Sequence, residues 1–159
     1  MQQGFSASGS ESVFGVEWIA SSEHGEKLAL IVRAIKQPDG ITFLTPDESI
    51  HQLGVLSWRK GHKIDAHVHN PITRTINSTE EVLFVRSGSV RVDLYSADQR
   101  YECSRILGAG YVIFLSSGGH GFEILEDADI VEVKQGPYTG ENEKTRFEPR
   151  DNPHWTESP

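Results

Sequence analysis

The sequence predicts an all-β protein built as a single antiparallel barrel or sandwich, and two observations support this fold class. First, about ten short runs rich in β-branched and aromatic residues alternate with turn residues along the chain. Second, the chain has 159 residues, which suits one domain and is too short for two cores of ordinary size. Closing the sheet into a barrel would also remove the unpaired strand edges that favour aggregation.

The predicted strands occupy most of the chain between residues 27 and 133. They are Lys27–Ile35, Ile41–Leu44, Gln52–Trp58, Lys63–His69, Glu81–Val85, Ser89–Tyr95, Glu102–Leu107, Tyr111–Leu115, Gly121–Leu125 and Ile130–Val133. The Ser87-Gly88 pair predicts a tight hairpin between two of these strands, and residues 126–129 predict a turn between two others. A helix is indicated only at residues 12–20.

The two ends of the chain differ in composition from its middle. Residues 1–12 are small and polar, so we expect a disordered N-terminal tail. We expect residues 13–145 to form the single barrel domain. Residues 146–159 are expected to be an irregular, flexible C-terminal tail, because several prolines interrupt any regular structure there.

Charge and composition exclude several classes of partner. The net charge is −8, and an acidic surface repels phosphate backbones and anionic lipid headgroups, so we expect neither nucleic acid nor a membrane as a partner. The chain lacks the roughly 20 consecutive apolar residues that a membrane helix needs. It also starts without the charged and apolar regions of a signal peptide. Its one cysteine, Cys103, allows no internal disulfide. These features predict a soluble cytoplasmic protein.

Three histidines and one glutamate form the pattern that carries chemistry. His67 and His69 are two residues apart, and residues i and i+2 of a strand point to the same face. Glu81 opens the next predicted strand, and His120 begins another strand after a Gly-Gly turn. The spacing predicts that all four side chains meet inside the barrel.

This mixture of ligands suits a divalent metal ion. Neutral imidazole binds Fe, Mn, Co, Ni or Zn, and one carboxylate offsets part of the ion's charge. A buried, ionised glutamate without a partner would cost several kcal/mol, which a bound cation removes. Four protein ligands leave two positions of an octahedral ion for water or substrate, and this favours catalysis.

The same residues resemble the first motif of the cupin superfamily. Gly61, His67, His69, Glu81 and Gly88 follow its order of glycine, His-x-His, glutamate and a second glycine. Six residues separate Glu81 from Gly88, as the motif requires, which favours Glu81 over the neighbouring Glu80. The chain departs from the motif in one respect, because the gap between His69 and Glu81 is eleven residues and is usually much shorter.

A second cupin-like motif lies within residues 110–124. Gly110 and Gly118 match this motif, but Ser116 stands where proline is usual and His120 comes one residue early. The resemblance implies a jelly-roll barrel, also called a double-stranded β-helix, with a metal at its centre. It further implies a homodimer, and the chain is similar to small cupins of carbohydrate pathways.

Three residues are candidates for binding a substrate. Arg74 lies in the long loop between the two parts of the first motif, where a guanidinium group can clamp a carboxylate or phosphate. Lys134 and Tyr138 lie near the last predicted strand. The general base is left open between His62, Tyr111 and Glu80.

The resulting hypothesis is a metal-dependent enzyme that acts on a small polar molecule. One reaction class is isomerisation or epimerisation of a sugar or sugar nucleotide, in which the metal polarises a carbonyl group. The other is Fe(II)-dependent dioxygenation. The alternative is a non-catalytic module that binds or senses a small molecule.

Overall fold

The computed structural model describes residues 15–34 and 39–155, and these residues are all-β. They form eight strands and one turn of 3-10 helix, Gly140–Glu143. The strands are β1 Val16–Ala20, β2 Lys27–Val32, β3 Gly40–Phe43, β4 Gly54–Ser57, β5 Glu81–Tyr95, β6 Tyr101–Gly108, β7 Val112–Leu115 and β8 Gly119–Lys134. No helix in the described ranges is long and apolar enough to cross a bilayer.

The strands make two antiparallel sheets. The larger sheet has the order β1-β2-β7-β5-β6, and β8 also pairs with β5. The smaller sheet is the β3–β4 hairpin. The larger sheet curls into a half-barrel. The long strands β5 and β8 run through both halves of the curled sheet and connect them.

Strands β5 and β8 form one long bent ribbon. They pair from Glu81 opposite Lys134 to Tyr95 opposite Gly119. On its other edge, the first part of β5 pairs with β7 and its second part pairs with β6. The register shifts between Val85 and Val90, which marks the place where the ribbon changes direction.

Gly88 makes this bend possible. Its φ angle is +80°, a conformation that residues with a side chain rarely adopt. A Cβ atom at this position would lie 2.2 Å from the backbone oxygen of Asp127 on β8. The bend therefore requires glycine both for its backbone conformation and for the close approach of the two strands.

The predicted hairpin at Ser87-Gly88 is wrong, and so is the predicted turn at residues 126–129. Both segments lie inside continuous strands, and Ser87 pairs with Asp129 across the ribbon. The glycine and polar residues of these segments suggested chain reversals. In the structure they lie where β5 and β8 both bend.

The predicted helix at residues 12–20 is also wrong where the structure describes it, because Val16–Ala20 is strand β1. Pairing with β2 provides the backbone hydrogen bonds that a helix would otherwise make for itself. The expected strand Lys63–His69 has no regular structure. Ile35 and the disordered tail expected at residues 1–12 lie outside the described residues.

Apolar side chains cover both faces of β2 and β7. The inner cluster lies inside the curled sheet and includes Ala29, Ile31, Leu83, Val85, Val90, Val92, Leu94, Ile113 and Leu115. On the outer face, Leu30, Val32 and Phe114 pack against Leu44, Leu53 and Val55, which belong to or flank the β3–β4 hairpin. Apolar side chains thus pack inside the half-barrel, and the β3–β4 hairpin covers part of its outer face.

The C-terminal segment, residues 146–155, contains no strand or helix and packs on the curled sheet. The Phe147 ring contacts the Tyr95 ring edge-on, with centroids 5.1 Å apart. The amide of Asn152 donates hydrogen bonds to Asp93 at 3.0 Å and to the Tyr95 hydroxyl at 2.7 Å. Asn152 is 4% exposed, so the expectation of a flexible tail is wrong for residues 146–155, which pack as part of the folded domain.

Candidate metal centre

Glu81 and His120 contact each other inside the half-barrel. Oε2 of Glu81, the first residue of β5, lies 3.2 Å from Nε2 of His120, the second residue of β8. Their side chains are 18% and 32% exposed, so a small molecule can reach them. The structure therefore joins two of the four predicted ligands.

The bend in the ribbon creates this contact. Glu81 is opposite Lys134 in the ladder, whereas His120 is opposite Leu94, near the other end of the same ribbon. A straight strand from Glu81 to Leu94 would span roughly 40 Å at about 3.3 Å per residue. The two side chains meet only because the ribbon folds back on itself.

The glycine before β8 helps to place His120. Gly118 has a φ angle of +69°, and a Cβ atom there would lie 2.2 Å from the backbone oxygen of Tyr95. His120 pairs with Leu94, whose side chain belongs to the inner core. Paired residues of an antiparallel ladder point to the same face, so His120 faces inward although it comes one residue early in the motif.

The surroundings of Glu81 favour its charged form. The hydrogen bond with His120 is the main cause that lowers the pKa of this carboxyl, and the charges of His120, Lys134 and Lys144 add to the effect. Burial acts in the opposite direction but is outweighed. Glu81 is therefore ionised at neutral pH, which is the form that can act as a metal ligand.

Lys134 is a cationic neighbour of Glu81. Its Nζ lies 3.8 Å from Oε1 of Glu81, 3.3 Å from Glu132 and 3.9 Å from Glu143. Hydrogen bonding to Glu132 is the main cause that raises the pKa of Lys134. Lys134 thus offsets part of the negative charge at the centre.

The contact between Glu81 and His120 has the spacing that a metal ion requires. Two ligands that are each about 2.1 Å from one ion lie roughly 3.0–3.4 Å apart, for octahedral or tetrahedral angles. The 3.2 Å between the carboxylate oxygen and the imidazole nitrogen falls in this range. The same separation is that of a hydrogen bond, so the pair is compatible with a divalent cation and is equally explained by a direct contact between the two side chains.

His67 and His69 lie in an exposed, irregular segment. Their rings are close, with centroids 5.3 Å apart. Nδ1 of His67 lies 2.9 Å from the backbone oxygen of Asp65. The structure thus presents the four predicted ligands as two pairs.

In the described parts of the chain, only Glu23, His24 and Asp98 place three metal-binding atoms within 4.8 Å of one another. All three residues are exposed. Glu23 already forms an ion pair with Arg100, and Asp98 accepts a hydrogen bond from Ser96 at 2.5 Å. These contacts explain the cluster as a connection between loops.

Glu80, which directly precedes β5, contacts a different set of side chains from those around Glu81. The backbone nitrogen of Glu80 donates to Oε1 of Gln135 at 2.8 Å. Its buried Oε2 accepts no hydrogen bond from the described residues and lies 3.6 Å from Nδ1 of His51. The sequence analysis did not identify His51 and Gln135 as neighbours of Glu80. The only signal in the sequence was the pair of adjacent glutamates, Glu80 and Glu81.

Two of the three candidate substrate residues lie together. Nζ of Lys134 is 5.9 Å from the ring centroid of Tyr138, which is 73% exposed. Arg74 is exposed in the long loop. Of the candidate bases, His62 stacks on Trp58 at 3.9 Å, and Tyr111 packs against the inner core.

Comparison of the chain with protein-family models, with curated proteins and with solved structures found no match. The resemblance to cupins accordingly stays a prediction, and the functional assignment depends on the geometry of Glu81 and His120.

Proposed function

We propose that the chain is a metal-dependent enzyme of the cupin jelly-roll type that acts on a small polar molecule. Glu81 and His120 would hold one divalent cation together with His67 and His69. The single observation that carries this proposal is the 3.2 Å contact between Glu81 and His120, which has the separation of two ligands on one ion.

The open edge of β8 supports the participation of His67 and His69. Among the described strands, β8 pairs only with β5, so its other edge is free beside His120. Extended chain placed along this edge would direct His67 and His69 to the same face. An ion at Glu81 and His120 would favour that arrangement, because it gains two imidazole ligands.

The bound ion would polarise a carbonyl or hydroxyl group of the substrate. Lys134 offers a hydrogen-bond donor next to Glu81, Tyr138 offers one beside Lys134, and the two would orient the substrate. Isomerisation or epimerisation of a sugar or sugar nucleotide needs only this polarisation and a proton transfer. Fe(II)-dependent dioxygenation also needs O₂. Fe, Mn, Co, Ni and Zn all accept this donor set.

The ion pair with Lys134 favours a second candidate function. Lys134 lies 3.8 Å from Glu81 and His120 lies 3.2 Å from it, so the carboxylate has a cationic partner and a hydrogen-bond partner without a metal. A non-catalytic module that binds or senses a small molecule could use this arrangement of side chains without a bound metal.

We expect the protein to be a homodimer. The exposed face of the β3–β4 hairpin carries Ile41, Phe43 and Leu56, which are 53%, 60% and 53% exposed. An apolar face of this kind is typical of an interaction surface. Analytical ultracentrifugation should show a dimer for the wild type and a monomer for the double variant Ile41→Ser, Leu56→Ser. A monomeric wild type would contradict the expectation.

Metal analysis of protein purified without added metal tests the centre. We expect roughly one ion per chain in the wild type and in the control His154→Ala, whose residue is an exposed histidine of the C-terminal segment. His67→Ala and His120→Ala should lose this ion. Equal metal in all four proteins would overturn the proposal.

Assays on a panel of sugars, sugar nucleotides and dioxygenase substrates separate the reaction classes. Turnover under strictly anaerobic conditions would exclude the dioxygenase. Tight binding of one panel member without turnover by the metal-loaded protein would identify the non-catalytic module instead.

A further inference from the structure

A cavity of about 440 Å³ opens beside the candidate metal centre. It lies between residues 76–79, which precede β5, and the segment that follows β8. The residues that line it are Ile76, Asn77, Ser78, Thr79, Gln135, Gly136, Pro137, Thr139 and Glu143. Its volume falls within the range of about 300–1,000 Å³ that is typical of small-molecule sites.

Hydrogen-bonding groups dominate this lining. Three hydroxyl-bearing residues and two amide-bearing residues surround the cavity, and these groups both donate and accept hydrogen bonds. A ligand that carries several hydroxyl groups has the same dual character. An apolar ligand would leave these protein groups without partners.

The charge of the residues that line the cavity disfavours the binding of anions. Glu143 is the only charged residue among those that line the cavity, and no lysine, arginine or histidine is among them. A phosphate or carboxylate in the cavity would face this carboxylate, whose charge Lys134 offsets only in part because the same lysine also contacts Glu81 and Glu132.

The side chain of Gln135 lines the cavity and is held in position by contacts with its neighbours. Its Oε1 accepts the hydrogen bond from the Glu80 backbone, and its Nε2 lies 3.4 Å from Nδ1 of His51. A side chain held by such contacts loses little further rotamer freedom when a ligand binds.

Lys134 connects the cavity with the candidate metal centre. Its Nζ lies 3.9 Å from Oε2 of Glu143, which lines the cavity, and 3.8 Å from Oε1 of Glu81. A ligand in the cavity is therefore separated from Glu81 by one lysine side chain.

We infer that this cavity binds a neutral, polyhydroxylated small molecule of about the size of a hexose and excludes its phosphorylated form. The inference rests on the proposed function and deepens it, because it narrows the substrate class to an uncharged sugar or polyol. It also assigns binding residues on both sides of the cavity, Thr79 and Thr139.

Ligand binding can be measured by saturation-transfer NMR and calorimetry with D-glucose, D-galactose and D-mannose, and with glucose 6-phosphate as the anionic probe. We expect at least one hexose to bind and the phosphate ester to bind more weakly than glucose. Thr79→Val and Thr139→Val should each weaken hexose binding about tenfold, because valine keeps the shape but loses the hydroxyl. The control Thr42→Val, an exposed residue of β3 outside the cavity, should bind as the wild type does.

The inference is overturned if no hexose binds, if both threonine variants keep wild-type affinity, or if glucose 6-phosphate binds more tightly than glucose. Metal content measured on the same samples distinguishes this failure from that of the proposed function. Hexose binding by a chain that never holds metal would refute the metal centre and leave the cavity assignment intact. Metal binding without hexose binding would refute the cavity assignment alone.

Discussion

Oε2 of Glu81 lies 3.2 Å from Nε2 of His120, although their backbones pair with Lys134 and Leu94 near opposite ends of one ladder. The contact therefore depends on the bend of the β5–β8 ribbon. Changes that straighten the ribbon should separate the two side chains even when neither is altered.

Replacing Gly88 by alanine should destabilise the protein and weaken metal binding together. The left-handed backbone alone costs a residue with a side chain about 1–2 kcal/mol, and the new Cβ would also meet the Asp127 oxygen at 2.2 Å. Urea denaturation and metal titration measure the two effects.

Gly108→Ala is the matched control, because nothing lies within 4 Å of a Cβ atom at Gly108, at the end of β6. It should change the free energy of unfolding little. Equal stability of the Gly88→Ala and Gly108→Ala variants would show that the bend does not require glycine.

Metal binding should protect the backbone amides of residues 63–69 from hydrogen exchange. The segment has no regular structure, and ligation by His67 and His69 would order it along the open edge of β8. Exchange mass spectrometry with and without Co²⁺ or Zn²⁺ measures this, and His120→Ala should abolish the protection. Unchanged exchange in a metal-loaded wild type would exclude these histidines as ligands.

Stability should fall below about pH 4 partly through Asp93. Burial alone would raise the pKa of Asp93, but hydrogen bonds from Arg91, Ser104 and Asn152 outweigh it and hold the pKa below its ordinary value of 3.8. A carboxyl with a lowered pKa in the folded state stabilises fully above its unfolded pKa, and this contribution disappears as pH falls through the folded pKa.

The change Asp93→Asn should therefore lower stability at neutral pH and flatten its decline in acid. The slope of unfolding free energy against pH should decrease by up to about 1.4 kcal/mol per pH unit. Denaturation curves between pH 2.5 and pH 6 test this, with the exposed Asp47→Asn as the control. Parallel pH profiles for Asp93→Asn and the wild type would contradict it.

Asn152→Ala should destabilise the protein by about 1–3 kcal/mol, because it removes the donor to the buried Tyr95 hydroxyl and one of the three donors to Asp93. His154→Ala, two residues away and exposed, should have a much smaller effect. Thermal unfolding distinguishes the two variants. Equal melting temperatures would mean that the C-terminal segment contributes little to stability.

Local pattern predicted most of the fold. Short apolar runs rich in β-branched and aromatic residues correctly indicated β2 and most later strands, and β2 is apolar from Leu28 onward because both of its faces are covered. The pattern failed at Ser87-Gly88, since the same glycine serves a hairpin or a sharp bend, and the paired strand decides between them. It also failed at residues 16–20, where β2 supplies the partner that makes a strand.

The sequence by itself predicted an all-β fold, which the described residues have, and it predicted inward-facing side chains for Glu81 and His120 from the two-residue period of a strand. Only the tertiary structure decided that these two side chains touch, that Glu80 points away toward His51, and that His67 and His69 lie apart from them. The reason is that contacts between distant residues depend on where a ribbon bends and which edges find partners, and neither is encoded in a local window.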